Sequence, residues 1–264
     1  MKQSPKIEAT FWEHLDELRK VIFRSLAVVT VFAVVTFILK DFVFDIILAP
    51  SENHFVTFTL LCKAGKWLAV NLCFEPFTTQ LINTQLSSQF MIHLSMSFYI
   101  GLLIAFPYVV YQLFRFISPA LYQNEIKYSA KVIFFSALLF FFGVLFNYFI
   151  IFPLSFRFLA TYQVSSQVVN MISLSSYIDT LILLSLMIGL MSELPILAWL
   201  LAKLGVISDK IMKKYRRHVI VILLILCAII TPTVDIFTLL MVFMPIYFFY
   251  ELSIMIVRKS AVPS

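Results

Sequence analysis

The chain has 264 residues, of which 61% are hydrophobic, 16% aromatic and only 13% charged. A soluble domain carries about 25% charged residues, so this composition excludes one. Apolar runs of roughly 20 residues recur, and that length crosses a hydrocarbon core of about 30 Å. We therefore predict an all-α integral membrane protein with six transmembrane helices, embedded in a lipid bilayer.

The charge and the cysteines exclude further classes. The formal charge of +6 does not indicate nucleic acid or another acidic partner, because the basic residues lie between apolar segments and not on one soluble surface. Three cysteines without a C-x-x-C pair indicate no metal site, no redox motif and no cofactor. The acidic residues within the first 24 positions argue against a removable signal peptide.

Residues 1–20 are predicted to form a cytoplasmic amphipathic collar. The run Thr10-Phe-Trp-Glu13 has the pattern of a capping box, in which the Thr and Glu side chains each bind a free backbone N–H. An apolar stripe follows at spacings of four, three and four residues, and acidic residues occupy the other side. This stripe consists of Phe11, Leu15, Leu18 and Ile22. We expect the helix to lie along the membrane surface and to run into the first span at 21–39.

Five further spans are predicted where apolar runs recur. They are 90–114, 132–152, 180–202, 219–234 and 236–250. Pro107 is expected to kink the second span, and the third is expected to end at Pro153. The fifth and sixth runs are shorter than the roughly 20 residues of a perpendicular span, so we predict a thinned bilayer or a dipped turn at Asp235 between them.

The basic residues predict the orientation. Six spans place both termini on one side, and basic residues favour the cytoplasmic side. Assigning the termini, 115–131 and 203–217 to the inside leaves only four of the 20 Lys and Arg outside. These four are Lys40, Lys63, Lys66 and Arg157. We therefore predict an N-in, C-in topology for a single membrane domain that covers residues 1–264.

The segment 40–89 is predicted to be a long outer loop. A short strand-like alternation at Phe55 to Phe58 is compatible with a β-strand, and no other element is assigned. Cys62 and Cys73 lie on the outer side in this topology, where a disulfide is chemically permitted. Two reduced cysteines are an equally acceptable interpretation.

Glu193 is the one ionisable residue between Thr180 and Ala202. A carboxylate in the middle of a membrane helix costs about 3 kcal/mol on insertion scales, so we expect it to face a protein interior or a water-filled cavity. Pro195 removes a backbone donor from the same turn and is expected to bend the helix. Glu193 is then either a functional polar site or a protonated side chain bound to a neighbouring helix.

The inner face presents carboxylates in two places, on the collar at Glu13, Asp16 and Glu17 and in the second inner loop at Glu125. Two separated carboxylates suit a ligand with two adjacent guanidinium groups, because arginine binds a carboxylate through a planar two-point fork. The alternative is that the collar acids only stabilise a helix N-terminus and that Glu125 is solvated.

Five motifs occur in one order along nearly the whole chain. They are His14-Leu-Asp-Glu-Leu-Arg19, Phe116-Ile-Ser-Pro-Ala-Leu-Tyr-Gln-Asn-Glu125, Glu193-Leu-Pro195, Thr231-Pro232 followed by Asp235, and Pro245 with Tyr250-Glu251. Together they resemble the TatC family, the multi-spanning signal-peptide receptor of the twin-arginine protein translocase. The chain departs from the family pattern at Ile126-Lys127, at Thr233-Val234 and in its long first outer segment with two cysteines.

The resemblance implies a concave six-helix bundle with short fifth and sixth helices in the bacterial inner membrane, and no enzymatic activity. It implies binding of twin-arginine signal peptides at the cytoplasmic face and export of folded proteins with TatA- and TatB-type single-span subunits. The proton motive force would drive export, and the receptor complex would contain several copies of the chain.

The resemblance also implies roles for individual residues. Glu17 and Glu125 would grip the arginine pair, and Arg19 would orient the collar. The Glu125 loop would be shaped by Phe116, Pro119, Leu121 and Tyr122. Glu193, Pro195 and Asp235 would form an intramembrane site for a partner helix or the inserted signal hairpin.

Two other classes fit the sequence less well. An ion-coupled transporter would use Glu193, with Asp235, to carry a proton or cation. It would need a continuous path of ionisable groups across several spans, yet the second and third spans offer only His93 and the neutral Asn147 for such a path. An intramembrane enzyme would need a converging set of reactive groups, and the stretch at His14 is not an H-E-x-x-H metal helix.

Overall fold

A computed structural model of the chain describes residues 11–52, 54–67, 80–117, 129–163, 165, 167, 170–231 and 235–260. Most of these residues are helical. The helices are α1 (Phe11–Ile38), α2 (Lys40–Leu48), α3 (Val56–Trp67), α4 (Ser88–Ile117), α5 (Ser129–Phe146), α6 (Phe152–Thr161), α7 (Leu174–Met191), α8 (Leu194–Lys203), α9 (Asp209–Lys214), α10 (Arg216–Ile230) and α11 (Ile236–Ser260). Two short strands, β1 (Leu81–Ile82) and β2 (Ile172–Ser173), pair in parallel.

Five apolar stretches in the described part of the chain are long enough to cross a membrane. They are Trp12–Ile38, Ser88–Ile117, Ala130–Thr161, Leu174–Lys203 and Ile236–Lys259. Each overlaps a predicted span. The predicted fifth span corresponds to α10, whose 15 residues extend about 22 Å at 1.5 Å per residue, less than a hydrocarbon core of about 30 Å.

The sixth predicted segment is wrong in length. The apolar run predicts an end at Tyr250, directly before Glu251, whereas α11 continues through 25 residues to Ser260. Arg216 forms a salt bridge with Glu251, so an opposite charge compensates the carboxylate within the helix. A charged residue ends an apolar run in the sequence but does not by itself end a helix.

The third predicted span also continues past its expected end at Pro153. A π-helical turn, Asn147–Ile151, connects α5 to α6, and the Phe152 N–H donates to the Asn147 carbonyl five residues earlier. Pro153 has no N–H, so the Phe149 carbonyl loses its normal i+4 donor. The hydroxyl of Thr57, from α3, donates a hydrogen bond to that carbonyl instead. The proline is thereby accommodated without ending the helix.

The first outer segment contains helices, and the strand-like interpretation of Phe55 to Phe58 is wrong, because α3 begins at Val56. Thr57 and Phe58 are both buried, so this face of α3 packs against the protein as a helix. Cys62 is disulfide-bonded, while Cys73 lies outside the described residues.

Two side-chain hydrogen bonds connect the C-terminal end of α2 to helices that follow it in the chain. The Tyr148 hydroxyl donates to the Ile46 carbonyl at 2.5 Å, and the Tyr177 hydroxyl donates to the Ile47 carbonyl at 2.8 Å. These bonds satisfy two backbone acceptors near the C-terminus of α2, where no intrahelical donor is available.

The chain forms two compact units. The first comprises Met1–Ile38 and Ser97–Ala137, and the second comprises Leu39–Met96 and Leu138–Ser264. Within the first unit, α1 and α4 approach closely at Gly101, where a Cβ atom would lie 2.6 Å from the backbone nitrogen of Ala33. Any larger residue would push the two helices apart.

The buried side of α1 differs from the predicted apolar stripe. Leu15 and Ile22 are exposed, whereas Val21 and Val29 are buried to 8% and 2% exposure. Since Val21 and Val29 are eight residues apart, they lie on one face of the helix. Two residues of the predicted stripe, Leu15 and Ile22, therefore face away from the protein.

Within the second unit, α5 and α7 pack through small and polar residues. A Cβ atom on Gly143 would lie 2.9 Å from the Ile188 carbonyl oxygen. Asn147 is fully buried, and its amide donates to the Ser185 hydroxyl at 2.7 Å. Close backbone approach together with interhelical hydrogen bonds is the usual means by which helices associate inside a membrane.

Candidate functional site

The first turns of α1 carry the predicted acidic cluster. Glu13, Asp16 and Glu17 are all exposed to solvent. A second feature of this region is the contact between His14 and Phe116, whose rings stack with centroids 4.2 Å apart and an interplanar angle of 20°. Glu17 lies three residues after His14, so it belongs to the same side of α1.

Phe116 is the penultimate residue of α4, directly before the segment that contains Glu125. The loop residues Pro119, Leu121, Tyr122 and Glu125 lie outside the described residues. The stack on His14 therefore fixes the point from which this loop starts, close to the helix turn that carries Glu17. Sequence reasoning quoted both residues within motifs but did not pair them.

Arg19 packs along its own helix. Its guanidinium carbon lies 5.6 Å from the centre of the Phe23 ring, four residues further along α1. Asp16, Lys20 and Arg24 line the same surface of the helix. A cation over an aromatic face stabilises the pair by about 0.5–1 kcal/mol at an exposed site, so Arg19 is held against α1.

Glu193 lies at the interruption between α7 and α8. Its side chain is only 8% exposed, in agreement with the expectation that it faces protein. Pro195 is the second residue of α8, so the bend expected from this proline lies at Ser192 and Glu193. The Ser192 hydroxyl lies 2.8 Å from the Leu139 carbonyl oxygen and links the interruption to α5.

Asp235 caps the N-terminus of α11. Its Oδ2 atom accepts a hydrogen bond from the backbone N–H of Thr238 at 2.6 Å. This satisfies one of the free donors in the first helical turn. Asp followed by an apolar helix is a common N-cap pattern, so this signal is present in the sequence, although the sequence-based prediction places a dipped turn and an intramembrane site at Asp235 and not a helix cap.

A polar cluster that sequence reasoning missed connects α9 and α10 to α11. Arg216 pairs with Glu251, which also forms a hydrogen bond with Tyr247. The Tyr250 hydroxyl donates to the Met212 carbonyl at 2.9 Å. The cluster holds the basic turn before α10 against the C-terminal half of α11.

These observations define a class of protein: a multi-pass helical membrane protein with an exposed acidic helix end and a buried intramembrane carboxylate. The family model described as Sec-independent protein translocase protein (TatC) matches residues 13–245. The chain belongs to the TatC family. It is accordingly a non-enzymatic component of the twin-arginine protein translocase in the bacterial inner membrane, where it works with other Tat subunits.

Individual relatives agree with this assignment. The chain is 36% identical over 258 residues to the Sec-independent protein translocase protein TatC of Blattabacterium sp. subsp. Periplaneta americana, covering 96% of this chain and 97% of the relative. It is 28% identical to the TatC protein of Campylobacter jejuni, with 93% and 92% of the two chains covered.

A solved structure also matches the fold. The crystal structure described as that of the twin-arginine translocase receptor TatC has a TM-score of 0.75 and 29% sequence identity to this chain. The match covers 95% of this chain and all of the crystallised one. The family does not favour the interpretation as an ion-coupled transporter.

Proposed function

We propose that the cytoplasmic end of this chain binds the arginine pair of twin-arginine signal peptides through Glu17 and Glu125. The observation that carries the proposal is the stack of His14 on Phe116, which holds the α1 turn bearing Glu17 next to the start of the loop bearing Glu125. Two carboxylates on separate elements suit two guanidinium groups, each of which forms a planar fork with a carboxylate.

The supporting residues have distinct parts in this proposal. Arg19, packed on Phe23, keeps the charged surface of α1 ordered. The loop residues Pro119, Leu121 and Tyr122 shape the backbone that presents Glu125. Because Glu17 is exposed among the described residues, its carboxylate is accessible to a ligand.

Glu193 and Pro195 form the proposed intramembrane contact. The apolar part of the signal peptide, or the single helix of a TatA- or TatB-type subunit, would pack beside the interruption between α7 and α8. Burial of Glu193 at a helix break supports this assignment, because an ionisable residue within a membrane helix normally faces protein and marks a functional position. Asp235 contributes by fixing the start of α11.

The proposed topology has six membrane segments with both termini in the cytoplasm, and α10 is the short fifth segment. The distribution of Lys and Arg supports it. In this arrangement the chain assembles with further copies of itself and with single-span subunits, and the proton motive force drives export of folded cargo.

The proposal is tested by the binding of a labelled twin-arginine peptide, and of its twin-lysine version, to the purified protein in detergent. We expect affinity to fall about tenfold for twin-lysine and for the Glu17→Ala and Glu125→Ala variants, because a charge-assisted fork is worth roughly 1.5–3 kcal/mol. Asp16→Ala, one residue from Glu17 and equally exposed, is the matched control and should stay within about twofold.

Equal affinity for both peptides and all variants would contradict the proposed site. If the folded protein bound neither peptide, proton flux through the protein in liposomes would be the next measurement. Flux that is lost in Glu193→Gln would then favour the transporter interpretation.

A further inference from the structure

The segment that connects α8 to α10 in the second unit is strongly basic. Residues 203–217 contain six Lys and Arg residues and one carboxylate, Asp209. The backbone of the segment is folded: Gly205, with a φ of 75°, follows the end of α8, and the Ser208 hydroxyl accepts a hydrogen bond from the Ile211 N–H at the start of α9. The positions from which its side chains project are therefore set by defined turns and a short helix.

Carboxylates of the described residues pair with two of the six cations. Lys213 pairs with Asp209 at 3.2 Å, and Arg216 pairs with Glu251. The other four cations form no ion pair with a described residue. These four are Lys203, Lys210, Lys214 and Arg217. The segment therefore keeps an excess of positive charge that the described part of the protein does not neutralise.

Two of these four cations lie on the outward face of α9. Met212 is only partly exposed, and the backbone beside it is held against α11 by the hydrogen bond from Tyr250. Lys210 and Lys214 are exposed and, being four residues apart, share one face of the helix. Each is two positions from Met212, which is about 200° around the helix, so both side chains point away from the protein.

Exposed apolar side chains lie between the cations. Val206 and Ile211 are exposed, and so is Tyr215, whose ring centre lies 6.0 Å from the Lys214 Nζ atom. Basic and apolar side chains exposed together are typical of a segment in a membrane interface, where tyrosine is also enriched. Because apolar helices enter and leave this segment on both sides, its cations lie at the level of the lipid headgroups. A soluble acidic partner would not account for the exposed Val206 and Ile211.

We propose that residues 203–217 form a binding surface for anionic phospholipids, whose phosphate groups contact the four unpaired cations while Val206 and Ile211 enter the membrane interface. Clusters of roughly four to eight Lys and Arg residues beside a membrane helix attract anionic headgroups. The bound lipid supplies the counter-charge that the protein lacks and holds the start of the short α10 at the membrane surface. This surface is separate from the proposed peptide-binding residues on α1, and only its assignment to the cytoplasmic leaflet depends on the proposed topology.

Photo-crosslinking of the full chain in phosphatidylcholine vesicles tests the proposal. The probe is a phosphatidylglycerol with a photoreactive group close to its headgroup, present at low mole fraction in both leaflets, and the reference is a phosphatidylcholine with the same group. Mass spectrometry after chymotryptic digestion measures the labelling of residues 203–217. We expect about fivefold more labelling by the phosphatidylglycerol probe, because one basic residue near an anionic surface strengthens attraction by about that factor.

Salt and charge-removing variants identify the cause of the preference. The preference should fall towards one at about 1 M salt, where the screening length is about 3 Å. Lys210→Gln, Lys214→Gln and Arg217→Gln in one chain should also bring it close to one at low salt. Lys210→Arg, Lys214→Arg and Arg217→Lys keep the charge and should retain the preference.

The matched control removes the same charge from exposed positions on α2 and α3, in the same unit, and should leave the labelling of residues 203–217 unchanged. It carries Lys40→Gln, Lys63→Gln and Lys66→Gln. Equal labelling of residues 203–217 by the two lipids in the wild type would overturn the proposal, and so would an equal loss of preference in the two Gln variants. The wild-type comparison decides the matter even if a variant fails to fold.

Discussion

Polar groups occupy opposite surroundings in two regions of this protein. At the start of α1, Glu17 is exposed, whereas at the break between α7 and α8, Glu193 is 8% exposed. An exposed carboxylate keeps its hydration until a ligand replaces it, so it can select a ligand at little cost to the fold. A buried carboxylate has already lost its hydration and depends on protein neighbours. Substitutions in the two regions should therefore affect different properties.

The largest effect on stability is expected at a buried polar group, the Thr57 hydroxyl that binds the Phe149 carbonyl. Thr57→Val keeps the shape but leaves this carbonyl without a donor, and should lower the free energy of unfolding by about 1–3 kcal/mol. Thermal unfolding in detergent measures the loss. Thr59→Val removes an exposed hydroxyl on the same helix and should change the free energy of unfolding little. Equal losses of stability in the two variants would contradict the role assigned to the Thr57 hydroxyl.

Glu193→Gln should reduce export of a twin-arginine cargo about tenfold, a factor that corresponds to about 1.4 kcal/mol, because an amide replaces the carboxyl group at the proposed partner contact. Binding of the labelled signal peptide should stay within about twofold of the wild type. Glu17→Gln should show the reverse order, with binding impaired at least as strongly as export. Loss of peptide binding in Glu193→Gln alone would contradict the division between the two regions.

His14→Ala should weaken peptide binding about threefold, since an aromatic stack contributes about 0.5–1.5 kcal/mol and lies between the two elements of the proposed site. His14→Phe retains a ring at this position and should restore most of the affinity. Leu15→Ala, at the adjacent exposed position, serves as the control. If His14→Phe binds as weakly as His14→Ala, ring stacking is not the reason for the effect.

The smallest effect is expected at the Arg216 pair with Glu251, in which the Arg216 side chain is 48% exposed. Arg216→Gln should lower stability only slightly, and less at high salt than at low salt, because exposed ion pairs are screened. Unfolding measured at low and high salt tests this. A loss as large as that of Thr57→Val would show that exposure does not predict the effect of a polar contact here.

The membrane helices could be predicted from the sequence where a long apolar run is enough to define them, without knowledge of distant contacts. Five of the six predicted apolar runs, Thr180 to Ala202 among them, overlap apolar stretches that are long enough to cross a membrane, because the bilayer requires both apolar side chains and internally bonded backbone. The motif residues Glu17 and Phe116 could also be found from the family resemblance. The stack of His14 on Phe116, which brings the turn bearing Glu17 close to Phe116, could not be predicted, because it depends on how α1 packs against α4.

The two errors in helix length share a physical origin, since each involves a partner distant in sequence. The helix continues past Pro153 with the help of Thr57, 92 residues away from the carbonyl it binds. It continues past Glu251 with the help of Arg216, 35 residues away. Local pattern reasoning treats proline and charge as helix ends because it does not see the groups that compensate them.

The bond from Thr57 to the Phe149 carbonyl has a consequence for biosynthesis. The chain emerges from the ribosome N-terminus first, so α3 already exists when the helix containing Pro153 enters the membrane. Inserted alone, that helix would carry a bare carbonyl into lipid at a cost of several kcal/mol. The third span is therefore a poorer membrane anchor in isolation than its apolar sequence indicates, and its stable insertion depends on a segment made earlier.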